Sequence, residues 1–247
     1  FKNRMVSVDN NVLVMIPAFN EEKTVGGVVK RVRKLYPSFD ILVINDGSED
    51  KTEVEAKRAG ADVITLPFHT GGVAAVLTGY LVALRHGYDC LVKIDGDGQH
   101  KPEDVIRVLR PVAANEADIC VGSRYLVKTA DEGDDSVVKL SGRVFSSTLV
   151  SNMVKKVKVT DTTSGLRAWN RRALHALTRT YLNERRFPDD SVLWLVETIT
   201  ACRKRLKIKE IPIDVLPRIC GKSKSYSFMK MLKYPLRLIA LLMERMR

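Results

Sequence analysis

The stretch CLVKIDGDGQH, residues 90–100, joins a predicted strand to a polar loop. Residues 90–94 form a short and mostly apolar run, which is typical of a strand buried inside a sheet. Asp95 and Asp97 follow at once, each with a glycine after it. A helix is then expected from Pro102, because proline is favoured at early helical positions. A strand, a loop and a helix in this order form the unit from which parallel α/β sheets are built.

The same unit repeats along the first half of the chain. Short apolar runs predict strands at 12–16, 41–44, 61–66, 90–94 and 117–122. Amphipathic segments between them predict helices at 25–35, 51–59, 71–86 and 102–112. Apolar strands separated by such helices indicate an α/β fold with a doubly wound, Rossmann-like and mostly parallel sheet. Ligands bind these sheets at the carboxyl ends of the strands, which here are the loops after Ile16, Ile44, Ile94 and Val121.

The second half is less regular and richer in predicted helices. Helices are expected at 140–154, 171–180 and 191–203, and a strand candidate at 206–215 is interrupted by Pro212, which favours an edge position. We predict one globular domain over 1–222, with a first half at 1–124 and a second at 125–222. A basic amphipathic helix is predicted at 223–247.

Charge divides the chain more sharply than hydrophobicity does. Residues 1–135 hold 17 Lys and Arg against 21 Asp and Glu, a net charge of −4, whereas residues 136–247 hold 24 against 8, a net charge of +16. A basic half of this size predicts an anionic partner: a nucleic acid, an anionic lipid or a phosphorylated substrate. A solvated basic surface without a partner is the alternative.

Cysteine spacing and hydropathy restrict the protein class. The four cysteines form no CxxC pair, which argues against a zinc ribbon or a disulfide framework and fits a reducing cytosol: Cys90, Cys120, Cys202 and Cys220. The longest apolar stretch near the C-terminus, 234–243, is about half the roughly 20 residues of a spanning helix. A transmembrane protein is therefore not expected.

Two strand-end loops carry candidate functional carboxylates. Asp95 and Asp97 can both face one hard cation, since Mg²⁺ and Mn²⁺ prefer oxygen ligands and leave room for substrate phosphates. The alternative is a pair of aspartates that only cap a helix or shape a turn. Asp46 follows Ile44 in the same way. It either forms an Asx turn that caps the helix at Lys51, or accepts hydrogen bonds from a base or ribose; spacing alone leaves both open.

Five motifs in a fixed order carry a family resemblance. They are IPAFNEE (16–22), NDGS (45–48), DGDGQHKPED (95–104), GSR (122–124) and DTTSGLRA (161–168). In this order the chain resembles family 2 glycosyltransferases, in the branch of dolichol-phosphate mannose synthase and the bacterial polyprenyl-phosphate glycosyltransferases, over roughly residues 11–225. The resemblance implies a GT-A fold, a nucleotide-sugar donor, Mg²⁺ or Mn²⁺, and inversion at the anomeric carbon.

The resemblance also assigns roles, with residues 1–124 as the nucleotide-sugar and metal half and 125–222 as the acceptor half. The nucleotide-sugar would contact Pro17, Ala18, Phe19, Glu21, Asp46, Gly71 and Asp95. The metal would be held by Asp95, Asp97 and Gln99. The reaction centre would include Asp161, Arg124 and Arg167, with Arg124 and Arg143 facing the acceptor phosphate. Asn45 and His69 depart from the family pattern; His69 either touches the diphosphate or is an ordinary loop histidine.

These features predict an enzyme that moves a sugar from a UDP- or GDP-sugar to a polyprenyl phosphate, dolichyl or undecaprenyl, at the cytosolic face of the membrane. The basic residues of 223–247 would bind the anionic membrane surface directly or through a small membrane partner protein. The alternative is a family 2 enzyme with a saccharide or protein acceptor, for which Asp161 or Asp189 would act as general base. A nucleic-acid-binding module is disfavoured, because no RNP, KH or zinc-finger signature is present.

Overall fold

A computed structural model of the protein describes residues 11–126, 159–183 and 193–217. Four sequence predictions lie outside these ranges: the helix at 140–154, the acceptor-phosphate residue Arg143, the candidate general base Asp189 and the basic helix at 223–247. No helix in the described part of the chain combines the length and the apolar character needed to cross a bilayer.

The regular elements of the first half follow the predicted alternation. They are β1 (Val12–Ala18), α1 (Val25–Leu35), β2 (Asp40–Asn45), α2 (Thr52–Arg58), β3 (Asp62–Thr65), α3 (Gly72–Arg85), β4 (Cys90–Lys93), a 3₁₀ turn (Pro102–Asp104), α4 (Val105–Ala113) and β5 (Ile119–Ser123). The described second half adds β6 (Arg167–Asn170), α5 (Arg171–Asn183), α6 (Leu193–Arg203) and β7 (Ile208–Pro212). Most predicted boundaries are off by one or two residues, and the predicted helix from Pro102 begins as the 3₁₀ turn.

The strands form one mixed sheet in the order β3-β2-β1-β4-β6-β5-β7. Neighbouring strands from β3 to β4 are parallel, and β7 is parallel to β5. β7 lies at the edge, as its proline predicted, and Pro212 is its last residue. The predicted Rossmann-like α/β sheet is therefore confirmed, and both halves of the chain contribute strands to it.

β6 is the main departure from the sequence prediction. It runs antiparallel between β4 and β5, where Ala168 pairs with Val92 on one side and Cys120 on the other. Its sequence, RAWN, has no apolar run and was not predicted as a strand. The segment is extended because two neighbouring strands supply its hydrogen-bond partners, so tertiary context overrides local propensity.

Alternate residues of each strand enter two separate hydrophobic layers. Val14 and Ile16 face one layer with α1 and α4, and Leu13 and Met15 face the other with α3, α5 and α6. Helix α3 packs so closely on β1 that a Cβ at Gly79 would lie 1.8 Å from the sulfur of Met15. Helices on both faces leave the carboxyl ends of β1, β2 and β4 as the place where loops can form a site.

Candidate active site

The loop after β4 lies against the end of β1. The backbone N–H of Ile94 donates to the carbonyl of Met15 at 3.1 Å, which continues the sheet to the start of the loop. A Cβ at Gly96 would lie 3.3 Å from both the Cβ of Ala18 and the carbonyl oxygen of Pro17. The glycine thus permits close approach, and the structure brings the predicted nucleotide and metal loops together.

Asp46 holds the loop that precedes α3. Its Oδ1 accepts hydrogen bonds from the N–H and the hydroxyl of Thr70 at 2.8 and 2.7 Å, and its Oδ2 accepts from the N–H of Gly71 at 2.9 Å. His69 Nδ1 lies 2.8 Å from the same Oδ2, and the His69 ring stacks on Phe19 with centroids 3.8 Å apart. Asp46 therefore contacts one other predicted nucleotide-site residue, Gly71, directly, and a second, Phe19, through His69. Neither sequence interpretation foresaw these contacts.

The loop after β1 is fixed to the loop after β2. The backbone N–H of Asn20 donates to Ser48 Oγ at 2.9 Å, and that of Glu21 donates to Thr52 Oγ1 at 2.8 Å. Asn20 has a positive φ of 53°, a backbone conformation that asparagine tolerates better than most residues. The Glu21 carboxylate accepts the hydroxyl of Thr24 at 3.0 Å. Glu21 thus lies at the predicted donor edge; its contact with a nucleotide stays a prediction.

Both oxygens of Asp95 have cationic or potentially cationic neighbours. Lys93 Nζ donates to Oδ1, and His100 Nε2 lies 3.3 Å from Oδ2. Burial alone would raise the pKa of Asp95, but the charge of Lys93 and the hydrogen bond from His100 hold it well below its usual range. Asp95 is therefore an ionised carboxylate whose position is fixed by its neighbours.

The remaining predicted metal ligands lie in the same turn. Asp97 Oδ1 accepts the N–H of Gln99 at 3.1 Å. The donor set of Asp95, Asp97 and Gln99 consists of oxygens, which fits Mg²⁺ or Mn²⁺. Within the described ranges no group of three His, Cys, Asp or Glu side chains could hold a metal alone. The residues thus fit a cation that takes further ligands from a bound diphosphate.

The metal loop is backed by segment 214–217, which follows β7. Leu216 N–H donates to the carbonyl of Gln99 at 2.8 Å, and Gln99 Nε2 lies 3.4 Å from the carbonyl of Leu216. His100 forms an antiparallel bridge with Val215. Lys101 pairs with Asp214 at 3.0 Å. The loop therefore has a partner more than a hundred residues away in sequence.

Arg124 and Asp161 form a tight ion pair at the end of β5. The guanidinium Nε and Nη2 of Arg124 donate to the two carboxylate oxygens of Asp161 at 2.8 and 2.9 Å. Asp161 is fully buried, whereas the Arg124 side chain is 29% exposed. Backbone N–H groups of Arg124 and Thr163 also donate to this carboxylate. Burial would raise the pKa of Asp161, but the Arg124 hydrogen bonds and charge lower it below its ordinary value.

Two of the three predicted reaction-centre residues thus lie together, and the third lies deeper. Arg167 is 1% exposed and pairs with the buried carboxylate of Glu197 at 3.0 Å. Its Nε donates to the carbonyl of Ser164 at 2.9 Å, and its guanidinium lies 4.6 Å from the centroid of the Trp194 ring. All of these contacts are with other protein groups. A role of Arg167 in the reaction itself stays a prediction.

Sequence reasoning missed four residues that support the site. Lys93 and Glu197 are buried charges beneath it, and the Trp194 ring lies against Lys93 and Arg167. Glu210 on β7 accepts the backbone N–H of Asp161 at 2.9 Å. A signal was available for the first two. Each is a lone charge in an otherwise apolar segment, and such a charge is rarely buried unless it is paired.

Comparison with known proteins identifies the class. The sequence model of Glycosyl transferase family 2 matches residues 13–178. The chain belongs to glycosyl transferase family 2, and the protein is a nucleotide-sugar-dependent glycosyltransferase. The family resemblance drawn from the five motifs is confirmed.

Individual relatives narrow the comparison. The chain is 32% identical to polyprenol monophosphomannose synthase of Mycolicibacterium smegmatis, over 86% of this chain and 80% of that protein. It is 30% identical to undecaprenyl-phosphate mannosyltransferase of Micrococcus luteus, over 86% of each. It is 28% identical to UDP-N-acetylglucosamine--dolichyl-phosphate N-acetylglucosaminyltransferase of Methanococcus voltae, over 84% of this chain and 86% of that one.

A solved structure supports the fold. Glucosyl-3-phosphoglycerate synthase of Mycobacterium tuberculosis, crystallised with Mn²⁺, UDP-glucose and phosphoglyceric acid, superposes with a TM-score of 0.70. The match is 19% identical and covers 94% of this chain and 79% of that one. The same enzyme has also been crystallised with Mg²⁺ and UDP. The predicted GT-A fold is therefore confirmed.

Proposed function

We propose that the enzyme transfers a sugar, with inversion and in the presence of Mg²⁺ or Mn²⁺, from a UDP- or GDP-sugar to a polyprenyl phosphate. One observation carries the proposal. Three relatives that align over 84–86% of this chain are named for products or acceptors containing polyprenol, undecaprenyl phosphate or dolichyl phosphate. Two of them are named for mannose and the third for N-acetylglucosamine. The shared chemistry is the lipid phosphate and not the sugar.

The reaction breaks the bond between the anomeric carbon and the donor diphosphate and forms one to an oxygen of the acceptor phosphate. The nucleoside diphosphate leaves with the electron pair, and the phosphate monoester becomes a diester. A cation held by Asp95, Asp97 and Gln99 would offset the charge that builds on the leaving group. Attack from the opposite side of the ring gives inversion.

The acceptor phosphate needs a positive side chain and little help from a base, because it is already an anion near neutral pH. Arg124 is partly exposed and held bidentately by Asp161. A guanidinium held in one orientation suits a phosphate, because it presents a fixed positive charge. This geometry supports Arg124 as an acceptor residue and Asp161 as the residue that positions it.

A saccharide or protein acceptor would require a general base. Asp161 accepts five hydrogen bonds from Arg124 and Thr163 and has a lowered pKa, so it is poorly suited to take a proton. Asp189, the other candidate base, lies outside the described residues. The contacts of Asp161 therefore favour the phosphate acceptor over the alternative.

A donor and acceptor matrix tests the proposal. Radiolabelled UDP-glucose, UDP-N-acetylglucosamine and GDP-mannose are each incubated with undecaprenyl phosphate, dolichyl phosphate, the unphosphorylated prenols or phosphoglycerate, and the label is partitioned into organic solvent. We expect extractable label only with a prenyl phosphate, and none with Asp97→Asn. Label that follows phosphoglycerate instead would reject the lipid acceptor while leaving the enzyme class intact.

Attachment to the cytosolic membrane face is part of the same proposal. The basic residues of 223–247 lie outside the described residues: Lys224, Lys230, Lys233, Arg237, Arg245 and Arg247. Each contributes about 1 kcal/mol near an anionic leaflet. The protein should co-sediment with anionic liposomes and leave them as salt rises. A variant with Lys230, Lys233 and Arg237 changed to Gln is the control and should bind anionic liposomes more weakly. Wild-type binding to neutral vesicles as strong as to anionic ones, or binding to neither, would contradict this.

A further inference from the structure

The metal loop stands on a buried lysine. Lys93, the last residue of β4, has a side chain that is 5% exposed. Its ammonium contacts Asp95 Oδ1, donates to the carbonyl of Gly165 at 3.1 Å and lies 5.0 Å from the centroid of the Trp194 ring. An ammonium this far from water is stable only if its charge and its donors are matched. Lys93 is therefore a buried part of the site, with its charge and its N–H donors matched by neighbouring groups.

The neighbouring buried cation has its own carboxylate. Arg167 lies 4.6 Å from the centroid of the same Trp194 ring and pairs with Glu197, which also accepts the indole N–H of Trp169 at 3.1 Å. Glu197 is thus occupied by Arg167 and Trp169. The carboxylate that contacts Lys93 is Asp95, a residue of the metal motif. One predicted metal ligand already serves as a counter-ion before any cation arrives.

The geometry around Asp95 leaves its carboxylate little freedom. A Cβ at Gly165 would lie 2.1 Å from Oδ2, and His100 Nε2 is 3.3 Å from the same atom. Lys93 holds the other oxygen. Gly165 lies beside Asp95 because strand β6, which begins two residues after Gly165, pairs with β4.

Charge balance then limits what the motif can bind alone. Asp95 and Asp97 would present two negative charges to a cation, but Lys93 offsets one of them. In the described ranges no three His, Cys, Asp or Glu side chains are grouped so that they could hold a metal ion by themselves. A divalent cation thus meets a weakly charged site until a diphosphate supplies further negative oxygens.

We propose that Lys93 is the counter-ion and positioning residue of Asp95, and that it makes cation binding depend on the donor diphosphate. This role rests on the proposed function, because it couples binding of the cation to binding of the nucleotide donor. It requires no step at the acceptor, so it can fail or hold independently of the lipid substrate.

The test is a Mn²⁺ titration followed by electron paramagnetic resonance, with MnCl₂ alone and with UDP or GDP present. The wild-type protein should bind Mn²⁺ at least about tenfold more tightly with the diphosphate. Lys93→Gln keeps donors for Asp95 and Gly165 but removes the charge, and Lys93→Met removes both. Each should bind Mn²⁺ alone about tenfold more tightly than wild type, the size expected for one nearby charge.

Turnover separates charge from position. Lys93→Met should lose more transferase activity than Lys93→Gln, because only the glutamine can still hold Asp95. Gly165→Ala is the matched control: it displaces Asp95 but keeps the lysine charge, so it should lose activity without binding free Mn²⁺ more tightly. A supporting role in folding alone would lower Mn²⁺ affinity in the lysine variants, never raise it.

Two results would overturn the proposal: tight Mn²⁺ binding by wild type without a diphosphate, or unchanged or weaker binding of free Mn²⁺ by Lys93→Gln. The wild-type titration needs no variant. It can therefore still overturn the proposal if a lysine variant folds poorly. Absence of transfer to any prenyl phosphate would count against the proposed function, whereas these titrations would still decide the role of Lys93.

Discussion

The proposed donor side and the proposed acceptor side of the site each centre on a buried aspartate, but the two aspartates are held differently. Asp46 binds hydroxyl and N–H groups 24 and 25 residues further along the chain, all within the parallel half. Asp161 binds the guanidinium of Arg124, which lies 37 residues earlier in the chain. The order of the strands that brings the two together could not be predicted from the sequence. The first aspartate shapes a loop, and the second neutralises a cation.

This difference predicts how each side responds to loss of charge. An uncharged amide can replace a carboxylate that accepts hydrogen bonds from neutral groups at modest cost. It cannot replace the counter-ion of an arginine, since a partly buried guanidinium would lose its charge partner. The metal loop lies between the two sides, and its loss should affect both.

The largest effect is expected at the metal loop. Asp97→Asn or excess EDTA should lower the transfer rate by about a thousandfold or more, because charge on the leaving diphosphate is no longer offset. Adding Mg²⁺ or Mn²⁺ should restore the chelated wild type but not the variant. Initial rates and an unchanged circular dichroism spectrum provide the measurement; full activity in chelator would exclude a metal-dependent reaction.

The next effect is expected at Asp161. Asp161→Asn should lower kcat about a hundredfold, more than the loss of the Arg124 side chain alone, because the carboxylate also holds the backbone N–H groups of Arg124 and Thr163. It should also cost about 3 kcal/mol of unfolding free energy, as for a broken buried ion pair. Because the folded-state pKa of Asp161 is lowered, its contribution is present at neutral pH and is lost as the pH falls below about 4. Urea unfolding of both proteins across this range should therefore show the difference narrowing in acid. Lost stability with normal kcat would reduce Asp161 to a structural residue.

Arg124→Ala should act on the acceptor more than on the donor. We expect a higher KM for polyprenyl phosphate, by about tenfold, and a change in nucleotide-sugar affinity smaller than about tenfold, or 1.4 kcal/mol. Kinetics with varied lipid and calorimetry with metal and nucleotide-sugar give the two numbers. Arg124→Lys retains the charge but not the paired geometry and should be intermediate. Donor binding abolished with acceptor use intact would reverse the two assignments.

The smallest effect is expected at Asp46. Asp46→Asn keeps one acceptor oxygen but places an amide donor near the N–H of Gly71, so the loop before α3 should loosen. We expect the nucleotide-sugar KM to rise several-fold, consistent with roughly 1 kcal/mol for one lost hydrogen bond, with the acceptor KM unchanged. A thousandfold loss would mean that Asp46 contacts the donor directly, and the contrast between the two sides would disappear.

The same contrast explains what could be predicted from the sequence. The strands and helices of residues 12–123 follow from local patterns, because short apolar runs alternate with amphipathic segments along this half of the chain. The positions of Asp95 and Asp46 at one sheet edge follow from that topology alone. β6 could not be predicted, since its RAWN sequence becomes a strand only between β4 and β5.

The side-chain partners of the predicted site residues could not be predicted from the sequence either. The motifs placed Arg124 and Asp161 in one site, but nothing in their spacing says that the two bind each other. Nor does it say that Arg167 pairs with the buried carboxylate of Glu197. Long-range ion pairs depend on the register of the sheet, and the register becomes visible only in three dimensions.

Segment 214–217 has a practical consequence for shortened versions of this enzyme. A shortened version of the enzyme would be made by removing the basic C-terminal residues, in order to weaken binding to membranes. A chain that ends after Pro217 keeps the backbone of Leu216 against Gln99 and the carboxylate of Asp214 against Lys101. A chain that ends at Pro212 loses both and would be inactive for want of support under the metal loop. That inactivity would easily be misread as proof that catalysis requires membrane attachment.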